Sequence, residues 1–424
     1  MHTLKEIYQD NEERNFIDPS LYSRYRVKAG LRNDNGTGVK VGLTKICDVI
    51  GYKIIHEKKY NIDGQLIYRG YPINYLVNKQ PSDKICGFEE TAYLLIFGTL
   101  PNADQLKTFK DYLLNFKMGP VDLQYETPNI LNALQIEVLK LYAKDPSADT
   151  DDLEERMMKG LKILASIPLF TFSYARNKVF KSYPYPDRSL AENILCMARG
   201  NDQYTSEEAK IMDTLLMVHA DHGGGNNSTF ANVVISSTGT DIYSCISAAI
   251  GSLKGPKHGG ANCKVTNMFK AIFHEVGFTT DKATLKKIAN RILDKDFFDH
   301  SGLIYGIGHA IYTKSDPRAL LIHEQCEALA KSKGQEEIYN CIHAFEKVAI
   351  EVMKERKGID VCANVDYYSG YVYSLLGIEA DLFTPLFAIS RTAGWVSHHL
   401  ENRQSNRKLI RPANVYVGEM EEIK

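Results

Sequence analysis

Hydrophobic residues recur along most of the 424-residue chain at the three- and four-residue spacing of one face of an α-helix. The clearest stretches are residues 106–116, 285–292 and 338–352. Their apolar positions are Leu106, Phe109, Leu113 and Phe116, then Leu285, Ile288, Ala289 and Ile292, then Ile338, Ile342, Phe345, Val348, Ala349 and Val352. Because strands are indicated in few places, the pattern predicts a mainly α fold.

Local signals place the ends of several helices. Acidic residues directly before Leu153 suit the first turn of a helix, where they face the positive end of its dipole. Thr280-Asp281 is expected to open another helix, because aspartate is a favourable N-cap. A helix over 319–332 is expected to stop at Gly334, and the following long helix is expected to end near Gly358.

One short β-hairpin is predicted near the N-terminus. Residues 52–57 and 65–70 flank a segment that ends in Asp63-Gly64, a dipeptide suited to a tight turn. Residues 1–40 are polar and indicate an arm with little regular structure.

Two domains are expected. The charged segment 265–377 is built of short helices and is predicted to be a smaller domain that hinges over a cleft. Residues 1–264 and 378–424 would then form the large helical domain, with 1–40 as its arm.

Composition narrows the class of protein. The 51 basic and 52 acidic residues nearly cancel, so nothing suggests a nucleic-acid or membrane partner. Eight scattered cysteines form no CxxC pair and indicate free thiols in a reducing compartment. The first residues resemble neither a signal peptide nor a transit peptide, so a soluble cytoplasmic protein is expected.

Three histidines lie in unusual surroundings. His222 precedes three glycines in the stretch 219–226, which ends at Asn226, and His258 precedes two glycines in a rigid turn. His309 is flanked by small residues. His219 and His222 could also supply zinc ligands, but the pattern is not HExxH, no cysteine pair completes the set and no third ligand is identified. A core or capping role remains the alternative for His219 and His222, and an ordinary turn and an ordinary loop are the alternatives for His258 and His309.

One acid and three arginines complete the candidate chemistry. Asp366 lies among apolar residues, where burial would raise its pKa and make it a better base, although a capping role is equally open. Arg318 follows an Asp-Pro turn, Arg391 lies inside an apolar helix, and Arg411 lies near the C-terminus. Guanidinium groups grip carboxylates bidentately, so the set suits a small polyacid substrate.

Six successive motifs together resemble the citrate synthase family. They are HADHGGGNNS, GPKHGGAN, GIGHAIYTKSDPRA, NVDYYSG, FTPLFAISRTAGW and IRPANVYVG, and IYRGYPI at 67–73 is similar as well. The likeness runs in order from about residue 41 to the C-terminus. It implies a two-domain helical homodimer that condenses acetyl-CoA with oxaloacetate and water to give citrate and CoA, a reaction of the tricarboxylic acid cycle.

The resemblance also implies a role for each residue that matches a motif. Asp366 would remove the acetyl proton, His258 would stabilise the enol, and His309 would polarise the oxaloacetate carbonyl. The residues that would hold oxaloacetate or line its site are His222, Asn226, Arg318, Arg391, Phe387 and Arg411, the last reaching from the partner subunit. Lys314 and Lys257 are candidates for the CoA phosphates. Neither a metal nor a permanently bound cofactor is expected, since CoA enters as a co-substrate.

Two alternatives stay open at this point. A 2-methylcitrate synthase, which uses propionyl-CoA, would share the same motifs, because one methylene changes discrimination by only about 1–3 kcal/mol. A non-catalytic homologue with a binding or regulatory role is the other, and a metal-dependent hydrolase is more remote.

Overall fold

The computed structural model describes residues 3, 5–6, 9, 16–56, 58–81, 84–119, 123, 127–405 and 408–418. Across these residues the chain forms sixteen α-helices, which confirms the mainly α prediction. The helices are α1 Ser20–Arg24, α2 Ile73–Asn78, α3 Gly87–Phe97, α4 Ala103–Leu114, α5 Ile130–Ala143, α6 Leu153–Ala175, α7 Leu190–Arg199, α8 Ser206–His219, α9 Asn227–Ser236, α10 Ile242–Leu253, α11 Ala261–Val276, α12 Lys282–Leu293, α13 Pro317–Ser332, α14 Glu336–Lys357, α15 Val365–Leu375 and α16 Phe383–Gln404. None of the helices in the described ranges combines the length and apolar character needed to cross a bilayer.

The chain divides into two compact units, Leu43–Leu409 and Met1–Gly42 with Ile410–Lys424. In the second unit α1 is followed by a 3-10 turn at Ala29–Leu31, and an isolated bridge joins Arg32 to Gly38. The division inside Leu43–Leu409, with 265–377 as a small domain, stays a prediction.

The predicted helix ends agree with the structure. Asp152 caps α6 by accepting from the backbone N–H of Glu155 at 2.8 Å, and Asp281 caps α12 in the same way. Gly358 ends α14 with φ of 64°, a left-handed conformation that glycine adopts without steric cost. Short polar caps therefore delimit these helices as the sequence indicates.

The hairpin exists, but its turn is not at Asp63-Gly64. Strand β1, Cys47–Ile55, pairs antiparallel with β2, Lys58–Tyr68, and a short β3, Tyr71–Pro72, continues the sheet. The chain therefore reverses between Ile55, the last residue of β1, and Lys58, the first of β2, and Asp63-Gly64 lies inside β2, next to an irregularity in the pairing.

Close packing explains why glycine is present there. A Cβ at Gly64 would lie 2.2 Å from the carbonyl oxygen of Ser315, and one at Gly51 would lie 2.4 Å from that of Ile311. The two glycines let the hairpin touch the loop that precedes α13. Gly64 N–H also donates to Ser315 Oγ at 3.1 Å, and Tyr312 Oη donates to the Gln65 carbonyl at 3.2 Å.

Helix α16 runs through the centre of the larger unit. It packs on α3, α6, α8, α9 and α10, and Trp395 and Arg391 on it are completely buried. Elsewhere α15 packs on α11 and α13, while α12 packs on α14. A buried arginine in the central helix requires polar partners, and these are the His219 carbonyl at the end of α8 and Asn226 in the loop that follows.

Candidate active site

Three connecting segments and three helices carry most of the predicted site residues. His222 lies in the loop between α8 and α9, His258 in the turn between α10 and α11, and His309 in the loop before α13. Asp366 is in the first turn of α15, and Arg391 is in the middle of α16. The remaining members are Asn226 as the N-cap of α9, Arg318 at the start of α13 and Phe387 in α16.

The loop that carries His222 is held on both sides. Tyr68 in β2 donates through its hydroxyl to the Asp221 carbonyl at 2.9 Å and accepts from the Asp221 N–H at 3.2 Å. From α16, His398 Nε2 lies 3.0 Å from Asp221 Oδ2, and Gly394 N–H donates to the Ala220 carbonyl at 3.1 Å. The position of His222 is therefore fixed by backbone and side-chain bonds from two elements.

His222 is a buried neutral ring. Burial, and next the nearby Arg318 and His309, lower the pKa of His222 well below its usual value. Its ring lies 5.2 Å from that of His309 and 5.6 Å from that of Tyr312, edge to face in both cases. Nε2 of His222 is buried without a hydrogen-bond partner, so this nitrogen can serve a ligand.

The tautomer of His309 follows from its own loop. Nδ1 of His309 accepts from the backbone N–H groups of Ile311 and Tyr312, each at 3.1 Å. A nitrogen that accepts carries no proton, so the neutral ring has its proton on Nε2. The ring also stacks on Tyr312 at 4.7 Å, which fixes its plane. His309 is thus arranged to donate a hydrogen bond through Nε2.

Arg318 is held by one buried carboxylate. Nε and Nη2 of Arg318 donate to Asp316 at 3.0 and 2.6 Å, which is a bidentate pair. The same carboxylate accepts from the N–H of Arg318 and, at 3.2 Å, from the N–H of Val365 at the start of α15. Asp316 therefore ties the arginine to the helix that carries Asp366.

Asp366 has the ionisation behaviour of a base. Burial raises the pKa of Asp366 to about 7, although Arg318 and Arg391 act in the opposite direction. Its Oδ1 is buried without a hydrogen-bond partner. The N-cap Asn364 accepts from the Asp366 N–H at 3.0 Å, so the capping role belongs to Asn364 and the Asp366 carboxylate remains available.

Arg391 makes two bonds and keeps one donor open. Its Nε donates to the His219 carbonyl at 2.7 Å, and its Nη1 donates to Asn226 Oδ1 at 3.1 Å. Nη2 is buried without a partner. The guanidinium lies over the Phe387 ring at 4.7 Å. An open buried donor on a fixed guanidinium suits an incoming carboxylate.

His258 is connected to α16 through Ser228. Its Nε2 lies 3.0 Å from Ser228 Oγ, and the indole N–H of Trp395 donates to the same oxygen at 3.2 Å. Burial, and next the Arg391 charge, lower the pKa of His258 to about 4, so the ring is neutral near pH 7. The Phe387 ring lies 6.1 Å away.

His219, the first ring of the HxxH pattern, has a structural role. Its Nδ1 lies 2.7 Å from the Leu215 carbonyl, and its ring contacts Phe387 at 4.7 Å. Burial lowers the pKa of His219 to about 3. Within the described ranges, no three His, Cys, Asp or Glu side chains form a group that could hold a metal ion.

Three predicted residues lie at exposed positions of the chain. Lys257 and Lys314 are exposed, and Arg411 is exposed within the unit that contains Ile410–Lys424. A cavity of about 320 Å³ lies at the C-terminal ends of α9 and α16. None of the candidate site residues line this cavity. The clustered groups are therefore the three histidines, Asp366, Arg318, Arg391, Asn226 and Phe387.

Sequence reasoning missed four residues of the cluster, namely Ser228, Tyr312, Asp316 and Trp395. Asp316 was visible as the acid of an Asp-Pro turn, and Trp395 is the single tryptophan of the chain. Serine and tyrosine are common throughout the chain, and nothing next to Ser228 or Tyr312 in the sequence marks them as site residues.

Comparison with known proteins gives a consistent result. The family model described as "Citrate synthase, C-terminal domain" matches residues 33–413. A citrate synthase of Haloferax volcanii is 37% identical over 386 residues, which cover 87% of this chain and 94% of that protein. A 2-methylcitrate synthase of Corynebacterium glutamicum is 33% identical and covers 83% of this chain and 89% of its own length.

Solved structures resemble the chain over most of its length. Citrate synthase from Thermoplasma acidophilum, in a ternary complex with carboxymethyl coenzyme A and oxaloacetate, superposes with a TM-score of 0.74 at 26% identity. Citrate synthase from Thermotoga maritima gives a TM-score of 0.72 at 28% identity. Each covers 91% of this chain and 96% of its own.

Proposed function

The chain belongs to the citrate synthase family, and on that premise we propose that it condenses acetyl-CoA with oxaloacetate and water to give citrate and CoA. The observation that carries the proposal is the arrangement of one carboxylate that titrates near neutrality among two neutral histidine donors and two fixed arginines. This set fits proton abstraction beside a thioester and addition of the resulting enol to a ketone.

Asp366 removes a methyl proton from acetyl-CoA. A base works best when its pKa lies near the working pH, and burial brings the pKa of Asp366 to about 7. Its open Oδ1 is the atom that receives the proton. The C–H bond breaks, its electrons pass to the thioester oxygen, and an enolate forms; a hydrogen bond from His258 to that oxygen gives it enol character.

The two histidines meet charge at two oxygens. His258 donates a hydrogen bond to the thioester oxygen as the enol forms, and His309 Nε2–H donates to the ketone oxygen of oxaloacetate as the carbon–carbon bond forms. Both rings are held in place before substrate arrives, which is the condition under which fixed donors stabilise developing charge. Water then hydrolyses citryl-CoA and releases CoA.

Oxaloacetate is held by its two carboxylates. Arg391 offers the open Nη2, Arg318 offers its buried guanidinium, and His222 offers the unpartnered Nε2. Asn226 and Phe387 complete the wall around Arg391. The CoA phosphates require exposed cations, and Lys257 and Lys314 are exposed candidates.

The working form is proposed to be a cytoplasmic homodimer. Apolar side chains are exposed on α5 and α6, among them Leu139, Tyr142 and Met158, and a second copy would remove such surface from water. Arg411 is exposed and is proposed to complete the partner's site. Residues 265–377 are proposed to close over bound substrate and protect citryl-CoA.

The competing function is 2-methylcitrate synthesis, because a relative with that name is about as similar to this chain as the citrate synthases are. Release of CoA thiol with oxaloacetate is measured with acetyl-CoA and with propionyl-CoA under identical conditions. A clear preference for acetyl-CoA supports citrate synthesis, and the reverse preference transfers the chain to the methylcitrate function. No thiol release with either, from folded dimer, would support a non-catalytic role.

A further inference from the structure

The hydroxyl of Ser228 faces three partners but has a single proton to donate. Its Oγ lies 3.2 Å from Trp395 Nε1, 3.0 Å from Asn226 Oδ1 and 3.0 Å from His258 Nε2. The indole N–H can only donate, so Ser228 accepts there. One hydroxyl proton is then left for two acceptors, the Asn226 amide oxygen and the His258 ring nitrogen.

Arg391 fixes the orientation of the Asn226 amide. Guanidinium groups cannot accept, so the atom of Asn226 that faces Arg391 Nη1 at 3.1 Å must be the oxygen. The same oxygen faces Ser228. Both lone pairs of Asn226 Oδ1 are therefore engaged, one by Arg391 and one by the Ser228 hydroxyl.

The destination of the Ser228 proton determines the tautomer of His258. When Ser228 donates to Asn226, its bond with His258 requires a proton on Nε2, and Nδ1 is then bare. When Ser228 donates to Nε2, the neutral ring carries its proton on Nδ1 and can donate to a substrate oxygen. Only the second arrangement lets His258 meet the thioester oxygen.

We propose that Asn226 is a positioning residue that keeps His258 in the Nε2–H tautomer until a dicarboxylate binds Arg391, and that this binding switches His258 to the Nδ1–H tautomer. The proposal rests on the proposed function, because the dicarboxylate is oxaloacetate and the tautomer serves the thioester. It couples the two substrates through Ser228 rather than through direct contact.

The switch follows from competition for Arg391. The substrate carboxylate takes the open Nη2 and draws Nη1 from Asn226 Oδ1, since an ionised acceptor forms the stronger bond. The released amide turns its NH₂ towards Ser228 or the carboxylate, so the Ser228 O–H turns and donates a hydrogen bond to His258 Nε2 while its proton stays on Oγ. The ring gives its Nε2 proton to water and takes one from water on Nδ1, so no net proton is taken up.

The direct test reads the tautomer by NMR. The protein is labelled with ¹⁵N in its histidine imidazoles, and the His258 signals are assigned by their absence in His258→Gln. The protonated ring nitrogen is expected to be Nε2 without ligand and Nδ1 with saturating oxaloacetate. A wild-type ring that keeps one tautomer in both conditions overturns the proposal, and this result does not depend on any variant folding.

A variant tests the role of Asn226 itself. Asn226→Ala removes the competing acceptor, so His258 is expected in the Nδ1–H tautomer with and without oxaloacetate. Oxaloacetate should also tighten carboxymethyl-CoA binding by about tenfold less in this variant than in the wild type. Asn227→Ala, at the neighbouring exposed position, is the matched control and should keep both the switch and the coupling. An Asn226→Ala protein that still switches tautomer contradicts the mechanism.

Failure of the proposed function gives a different result. Oxaloacetate binding is followed separately by calorimetry and by the fluorescence of Trp395, the single tryptophan. Absence of binding, or of CoA release with any acyl-CoA, would remove the proposed function and this inference together. Normal binding and turnover with an unchanged tautomer would remove this inference alone.

Discussion

Replacement of Gly64 by alanine should disturb the candidate site from outside it. A Cβ at this position would lie 2.2 Å from the Ser315 carbonyl oxygen and 2.6 Å from Tyr312 Cδ1, where ordinary contact begins at 3.4 Å. Both obstacles belong to the loop that carries His309, and one is backbone, which cannot swing aside. Strand β2 and this loop must therefore separate by about 1 Å.

The size of the effect follows from what the loop holds. Tyr312 stacks on His309 and donates its N–H to His309 Nδ1, so a shift of the loop moves the proposed donor directly. A displacement of about 1 Å can lower turnover by about 10²-fold. Overpacking of this kind also costs about 1–3 kcal/mol of the free energy of unfolding.

The assay measures kcat for CoA-thiol release together with the thermal midpoint. Gly119→Ala is the matched control, because Gly119 is exposed and its Cβ would meet nothing within 4 Å. A Gly64→Ala protein with normal kcat and normal midpoint would refute the packing argument. A lowered midpoint with normal kcat would refute the claim that the hairpin positions His309.

Four further outcomes are expected. Asp366→Asn should lower kcat by about 10²–10⁴-fold with an unchanged thermal midpoint, and a near-normal rate would contradict the assigned base. In the wild type, kcat should rise with pH through about 7, because the pKa of Asp366 is raised to about 7 and only its ionised form is a base. If the chemical step limits turnover, a kcat independent of pH between 6 and 8 would count against this assignment. Hybrid dimers of Arg411→Ala and Asp366→Asn chains should regain activity that neither homodimer has, and demonstrated hybrids without activity would exclude a shared site. Burial raises the pKa of Asp213 to about 7, so the folded protein binds more protons than the unfolded chain between about pH 4 and 7. The free energy of unfolding should therefore fall as pH rises through this window, and Asp213→Asn should weaken that fall in urea titrations. An identical pH dependence in the variant and the wild type would contradict this expectation.

The helices and their ends were predictable because their causes are local. Asp281 caps α12 and Gly358 ends α14 through bonds within a few residues, which periodicity and capping preferences report directly. The hairpin turn was predicted wrongly for the opposite reason. The dipeptide Asp63-Gly64 is typical of a turn, but Gly64 is present because it packs against Ser315, which is 251 residues away in sequence.

The same distinction divides the candidate site. Histidine, aspartate and arginine in apolar or glycine-rich surroundings stand out in a sequence, because burying a charge needs a reason. Ser228 is as important to the geometry of His258, yet it is an ordinary helix residue until Trp395 and Asn226 are placed beside it. Neutral hydrogen-bonding groups become recognisable only through their neighbours.

The raised pKa of Asp366 depends on which partners the neighbouring arginines already have. Two buried arginines act on this carboxyl, and from composition alone they should hold its pKa low. Arg318 is already paired bidentately with Asp316, whose own charge raises the pKa of Asp366. Arg391 makes its hydrogen bonds to the His219 carbonyl and Asn226. Because neither cation bonds to Asp366 itself, burial remains the largest influence, and the carboxyl becomes a base suited to neutral pH.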